Sequence, residues 1–122
     1  MTPDLDDALA PFRPYPGEKE DSMWALLIVG GDVHTALELD GGVCPDDDVY
    51  CTNLLWILDE CPVDAVVLVV SRHDGKPRSA DSAMWRRIRD AASSHRVRYE
   101  GMAVVGPSGW SWVEPRPDGA TL

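Results

Sequence analysis

The segment that most constrains this chain is Ala65–Val70, AVVLVV, six consecutive apolar residues of which four are valine. A strand with one wet face alternates between polar and apolar positions. An unbroken β-branched run has both faces covered, which places it in the middle of a sheet. The pattern on either side supports that placement. MWALLIVG (23–30), ending in Gly30-Gly31, and VHTALEL (33–39) read as two strands of a hairpin. From about 47 to 61, Val49, Leu54, Leu55 and Leu58 recur at roughly helical spacing, and Pro62 ends the helix. Asp46, Asp47 and Asp48 sit at its start, where free amides and the helix dipole favour negative charge. The same triplet could bind a cation, but capping alone accounts for it. After the polar loop SRHDGKPR (71–78), a second helix is expected over about 80–94, capped by Ser79, with Ala83, Ile88, Ala91 and Ala92 towards the sheet. VRYEGMAVVG (97–106) and WSWVEP (110–115) then read as strands joined by a Pro-Ser-Gly turn. The order is β-β-α-β-α-β-β, an α/β domain with a mixed sheet.

A length of 122 residues suits one domain with a core of its own. Residues 1–21 hold four of the ten prolines, several acids and few apolar side chains, so they read as a flexible acidic arm. Residues 22–115 form the expected domain and 116–122 a polar tail. No apolar run approaches the length of a membrane span, and the first residues lack the basic and apolar regions of a signal peptide, so a cytoplasmic protein is expected. Cys44, Cys51 and Cys61 contain no close CxxC pair and read as reduced thiols. Cys44 and Cys51 lie near a helix start, where a thiol pKa can fall.

The formal charge of −10 is unevenly spread. Residues 1–71 carry fifteen acids against two bases, and residues 72–122 carry nine bases against six acids. Bulk nucleic acid is therefore not an expected partner. The basic segment could meet the acidic one within a monomer, across a dimer, or on a protein partner.

The stretch 64–113, DAVVLVVSRHDGKPRSADSAMWRRIRDAASSHRVRYEGMAVVGPSGWSWV, resembles the core of RadC-type JAB/MPN metalloprotease domains. AVVLVV stands for the family's ligand strand, Gly75 for its motif glycine, Pro77 and Ser79 for its Pro-Ser pair, and Asp81 for its aspartate ligand. YEGMAVVG and GWSWV resemble its last two strands. The resemblance covers about 22–113 and implies a three-layer, cytidine-deaminase-like fold. Its zinc histidines, counted back from Gly75, fall on Val70 and Arg72, neither of which can bind zinc. The resemblance thus implies a degenerate member with no resident metal and no cofactor. The family's catalytic glutamate could correspond to Glu38. The weak catalytic candidates are therefore Glu38, His73, Ser79 and Asp81.

From these residues a catalytically inactive JAB/MPN-type domain is expected, acting as a protein-binding or scaffold module. The rival is a zinc-dependent isopeptidase or peptidase with a rearranged site built from His34, Glu38, His73 and Asp81. A DNA-repair-associated RadC-like module is a third reading, which the acidic charge opposes. Two surfaces stand out. Arg72, His73, Lys76 and Arg78 crowd a turn before a helix N-terminus, a place that suits a phosphate or carboxylate. The alternative there is a solvated basic loop paired with Asp74 and Asp81. Trp110 and Trp112 alternate and so share one face of the last strand, a candidate interface for a homodimer. The N-terminal arm, with Phe12 and Tyr15, could cover that face instead. Trp56 and Trp85 are expected to cover helix–sheet contacts.

Overall fold

The computed structural model describes residues 5–15, 21–39 and 42–113. A short helix α1 (Leu5–Leu9) runs into a 3-10 turn (Ala10–Phe12). Then come β1 (Ser22–Val29), β2 (Asp32–Leu39), α2 (Asp48–Glu60), β3 (Ala65–Ser71), α3 (Ser79–Ala92), β4 (Arg98–Gly106) and β5 (Gly109–Trp112). The five strands form one mixed sheet in the order β2-β1-β3-β4-β5. Strand β3 is central and every residue in it is buried, as its composition requires. It pairs antiparallel with β1 and parallel with β4, and the hairpin partners β2 and β5 are antiparallel edges.

Both crossovers follow from this order. β2 and β3 run the same way and are joined through α2; β3 and β4 run the same way and are joined through α3. Right-handed crossovers that step in the same direction across a sheet must lie on the same face. Accordingly α2 and α3 sit side by side over one face rather than flanking the sheet. Cys51, Leu54, Leu55 and Leu58 from α2 and Met84, Trp85 and Ile88 from α3 pack there on Met23, Ala25, Leu27, Val66, Leu68, Val70, Met102 and Val104. Asp47 caps α2, accepting the Tyr50 N–H at 2.8 Å.

The other face carries Leu26, Ile28, Ala65, Val67, Val69, Ala103 and Val105. Its cover is the N-terminal segment that composition marks as a loose arm: Leu5 and Leu9 are buried on it, and Phe12 meets Trp24 edge to face with centroids 5.3 Å apart. Asp6 accepts the Trp110 indole N–H at 2.8 Å. The expected arm is thus a packed third layer over residues 5–12. The remainder of the arm, 1–4 and 16–20, and the tail 116–122 lie outside the described residues.

Two glycines have local reasons. Gly101 (φ +142°) marks a register shift in the β3–β4 ladder, where one residue of β4 has no counterpart, and the Trp112 ring lies over it; a Cβ there would sit 2.9 Å from that ring. Gly75 (φ +65°) and Gly106 touch backbone to backbone, so that a Cβ on Gly106 would stand 2.4 Å from the Gly75 Cα. That contact pins the β3–α3 loop to the end of β4.

Candidate functional site

The chemistry-bearing residues of the sequence gather where β3 ends and α3 begins. Antiparallel pairing sets Ser22 opposite Ser71, so Asp21, just before β1, lies beside Arg72, just after β3. Parallel pairing sets Ser71 opposite Val105, and the Arg72 N–H donates to the Val105 carbonyl at 2.9 Å. Arg72 follows Leu68 and Val70 on the helix-covered face, and its side chain turns inward; the residue is 2% exposed. There its guanidinium makes four hydrogen bonds. Nη1 and Nη2 donate to the two carboxylate oxygens of Asp81 at 2.5 and 2.8 Å, Nε donates to Asp21 at 2.8 Å, and Nη1 also donates to the Lys76 carbonyl at 2.8 Å. Asp81 is fully buried in the first turn of α3 and also accepts the Arg78 N–H at 2.8 Å.

This is a forked, charge-assisted pair of the strong kind. The Asp81 carboxylate raises the guanidinium pKa further above its ordinary value, burial opposes that rise, and Asp21 adds to it. A group held this firmly in its cationic form neither takes nor gives a proton in any accessible pH range, and it cannot ligate a metal. Val70, fully buried in the core, offers no donor atom, and both oxygens of Asp81 are committed. The residues present do not fit a resident zinc at this place.

The remaining catalytic candidates do not converge on the pair. Glu38 pairs with Trp24, which faces the opposite layer of the sheet, so its side chain lies on the other face from Arg72 and Asp81. His73 is exposed in the loop, and Ser79 is the exposed first residue of α3. Helix α3 has Arg78 at its N-cap, not Ser79, and the stabilising acid is Asp81 at the third helical position, whose side chain accepts the Arg78 N–H. His34 lies on the edge strand at the level of the Val33–Ile28 and Ile28–Ala65 pairs, six residues down β3 from Ser71. At ~3.3 Å per residue this is about 20 Å from the cluster, which breaks up the set His34, Glu38, His73 and Asp81.

In the basic loop, Arg72 and Arg78 are held in ion pairs, while His73 and Lys76 are exposed. Arg72 is spent inside. Arg78 reaches Asp74 at 3.4 Å and Asp21 at 3.8 Å, and Asp74 also accepts the Lys76 N–H at 3.0 Å. The Lys76 N–H holds the Asp74 carboxyl below its ordinary pKa; desolvation opposes it, and Arg78 and His73 add to the lowering. At the start of α3 the Arg78 N–H donates to the Asp81 carboxylate, and the Asp81 and Ser82 N–H groups donate to the Arg78 carbonyl. Asp74 and Asp81 thus pair with Arg78 and Arg72, and Asp21 is a third acid that sequence spacing gave no sign of.

Trp110 and Trp112 are half-buried, stacked edge to face at 5.2 Å, and packed on the layer that the N-terminal helix covers. Within the chain, the N-terminal helix meets them through the Trp110 indole N–H, which donates to Asp6. Trp85 is buried against Tyr99 and beneath Arg89, as its position suggests. Trp56 is not a helix–sheet contact: it is 59% exposed on the outer side of α2, with Val49 and Ile57. Cys51, expected to gain acidity from the helix start, is buried, and burial pushes its thiol pKa up.

Among the described residues no helix is long and apolar enough to cross a membrane. No protein-family model matches the chain, and no curated protein is significantly similar to it.

Proposed function

We propose that this chain is a RadC-like JAB/MPN-type domain in which an arginine has replaced the catalytic metal, and that it works as a non-catalytic protein-binding module. One observation carries the reading. Val70, Arg72 and Asp81, which the resemblance assigns to the metal site, lie on one face at the end of the central strand, and a buried guanidinium there neutralises the aspartate a metal ion would otherwise hold. The mixed five-stranded sheet β2-β1-β3-β4-β5, with α2 and α3 as crossovers, is compatible with an α/β domain. A cation that is part of the fold stabilises the site without an open coordination position, and hydrolysis needs such a position for water. Binding functions need only a stable surface, which the Arg72–Asp81 pair helps to fix.

The test is activity under conditions that favour an enzyme. Purified protein given excess zinc and a panel of peptide and isopeptide substrates is expected to show no turnover above buffer. Zinc-dependent turnover that Asp81→Ala abolishes would establish the peptidase reading instead.

A further inference from the structure

The outer side of α2 is the part of the surface that the fold leaves unexplained. Cys51, Leu54, Leu55 and Leu58 turn inward, and Val49, Asn53, Trp56 and Glu60 form the stripe directly opposite, at spacings of four, three and four residues. Val49 is 68% exposed, Trp56 59% and Ile57, beside Trp56, 48%. Trp56 and Ile57, consecutive and so about 100° apart on the helix, widen this exposed face towards one flank, and exposed apolar residues of this kind serve as anchors at the centre of interfaces. The surroundings of this stripe are acidic. Helix α2 contains Asp48, Asp59 and Glu60 and no basic residue, and Asp46 and Asp47 precede it.

We infer that this stripe binds a basic amphipathic helix of another protein, its apolar face on Val49, Trp56 and Ile57 and its Lys or Arg flanks towards the acids at the two ends of α2. Charge selects this occupant. A second copy placed helix to helix would set acid against acid between chains of formal charge −10 each. Anionic membrane surfaces and nucleic acid are repelled for the same reason. The affinity of these acids for guanidinium is visible within the chain: Arg87 bonds Asp48, and Arg96 donates to Asp59 at 3.1 Å. Among the described residues, Asp46 and Glu60 form no ion pair and remain for a partner. The inference rests on the reading of the chain as a binding module and names the surface and the chemistry of its partner.

The probe is a synthetic four-turn peptide with leucines on one face and lysines and arginines beside them, titrated against the full chain by fluorescence anisotropy. A second peptide keeps the charges and replaces the leucines by glutamine. Trp56→Ala/Ile57→Ala truncates two side chains that are each about half exposed, and a thermal melt checks that the variant is folded at the titration temperature. The expected result is saturable binding of the apolar-faced peptide, weakened at least about tenfold both by the double substitution and by the glutamine peptide. Amide shifts in NMR should map to 46–60. Equal binding of both peptides, equal binding by the double variant, or no binding would overturn the inference. So would a concentration-dependent dimer that Trp56→Ala/Ile57→Ala dissolves, because the occupant would then be a second copy. Zinc content and peptidase activity decide the binding-module reading separately from any of these outcomes.

Discussion

Replacing Arg72 with methionine keeps most of the side-chain volume and removes the charge. The Asp81 carboxylate is then left fully buried, with the Arg78 N–H as its one remaining hydrogen bond among those described. Breaking a buried ion pair by removing one partner costs about 3–5 kcal/mol, because the surviving charge has lost both water and its counterion. Asp21 loses a partner too, but at 29% side-chain exposure it is rehydrated cheaply and adds little. A domain of this size holds on the order of 5–15 kcal/mol in total, so Arg72→Met removes a large fraction of it. With a urea m-value of about 2 kcal/mol/M, the midpoint should fall by roughly 2 M. The companion Arg72→Met/Asp81→Leu carries no stranded charge. It forfeits mainly the acceptor for the Arg78 N–H, about 1 kcal/mol, and should recover most of the loss. Urea denaturation followed by far-UV circular dichroism reads both variants and their coupling. A cost below about 1 kcal/mol for Arg72→Met, or a double variant as weak as the sum of the single ones, would refute the claim that this pair is buried and mutually dependent.

Three further outcomes follow from the structure. Asp59 and Asp74 have carboxyl pKa values lowered chiefly by the backbone N–H groups of Arg96 and Lys76; their stabilisation is present above the unfolded value of about 3.9 and is lost as pH falls through the folded values, so urea midpoints should be flat near neutrality and drop below about pH 4. Burial keeps the Cys51 thiol protonated, so under native conditions a thiol reagent should modify it far more slowly than Cys44 or Cys61, and at a comparable rate only after unfolding. Gly106→Ala forces a Cβ against the Gly75 backbone and should cost about 1–3 kcal/mol by thermal melt, well above an alanine placed at an exposed glycine.

The sheet and its helices were legible because their signals are local. AVVLVV could only be central, the Asp triplet could cap α2 without tertiary help, and Pro62 and Gly30-Gly31 mark chain reversals. The N-terminal layer was not legible: a five-residue helix carries almost no periodicity, and Leu5 and Leu9, four apart among acids and prolines, are its only trace. Val49 shows a period misread. It lies five residues before Leu54, about 140° away on the helix wheel, and with Trp56 it faces solvent rather than the core. Arg72 was legible as a residue in a histidine's place and Asp81 as the matching aspartate of the resembled motif, but their union was not, because eight residues of loop and helix lie between them and only the inward turn of the Arg72 side chain joins them. Asp21 was beyond sequence reach altogether: its place beside Arg72 comes from the antiparallel register of β1 on β3.

The central proposal is that a guanidinium stands where the JAB/MPN resemblance would place a metal, and elemental analysis tests it most directly. Protein purified without chelators and dialysed to equilibrium should contain well under one zinc per chain. Stoichiometric zinc, lost on His73→Ala or Asp81→Ala, would contradict the account.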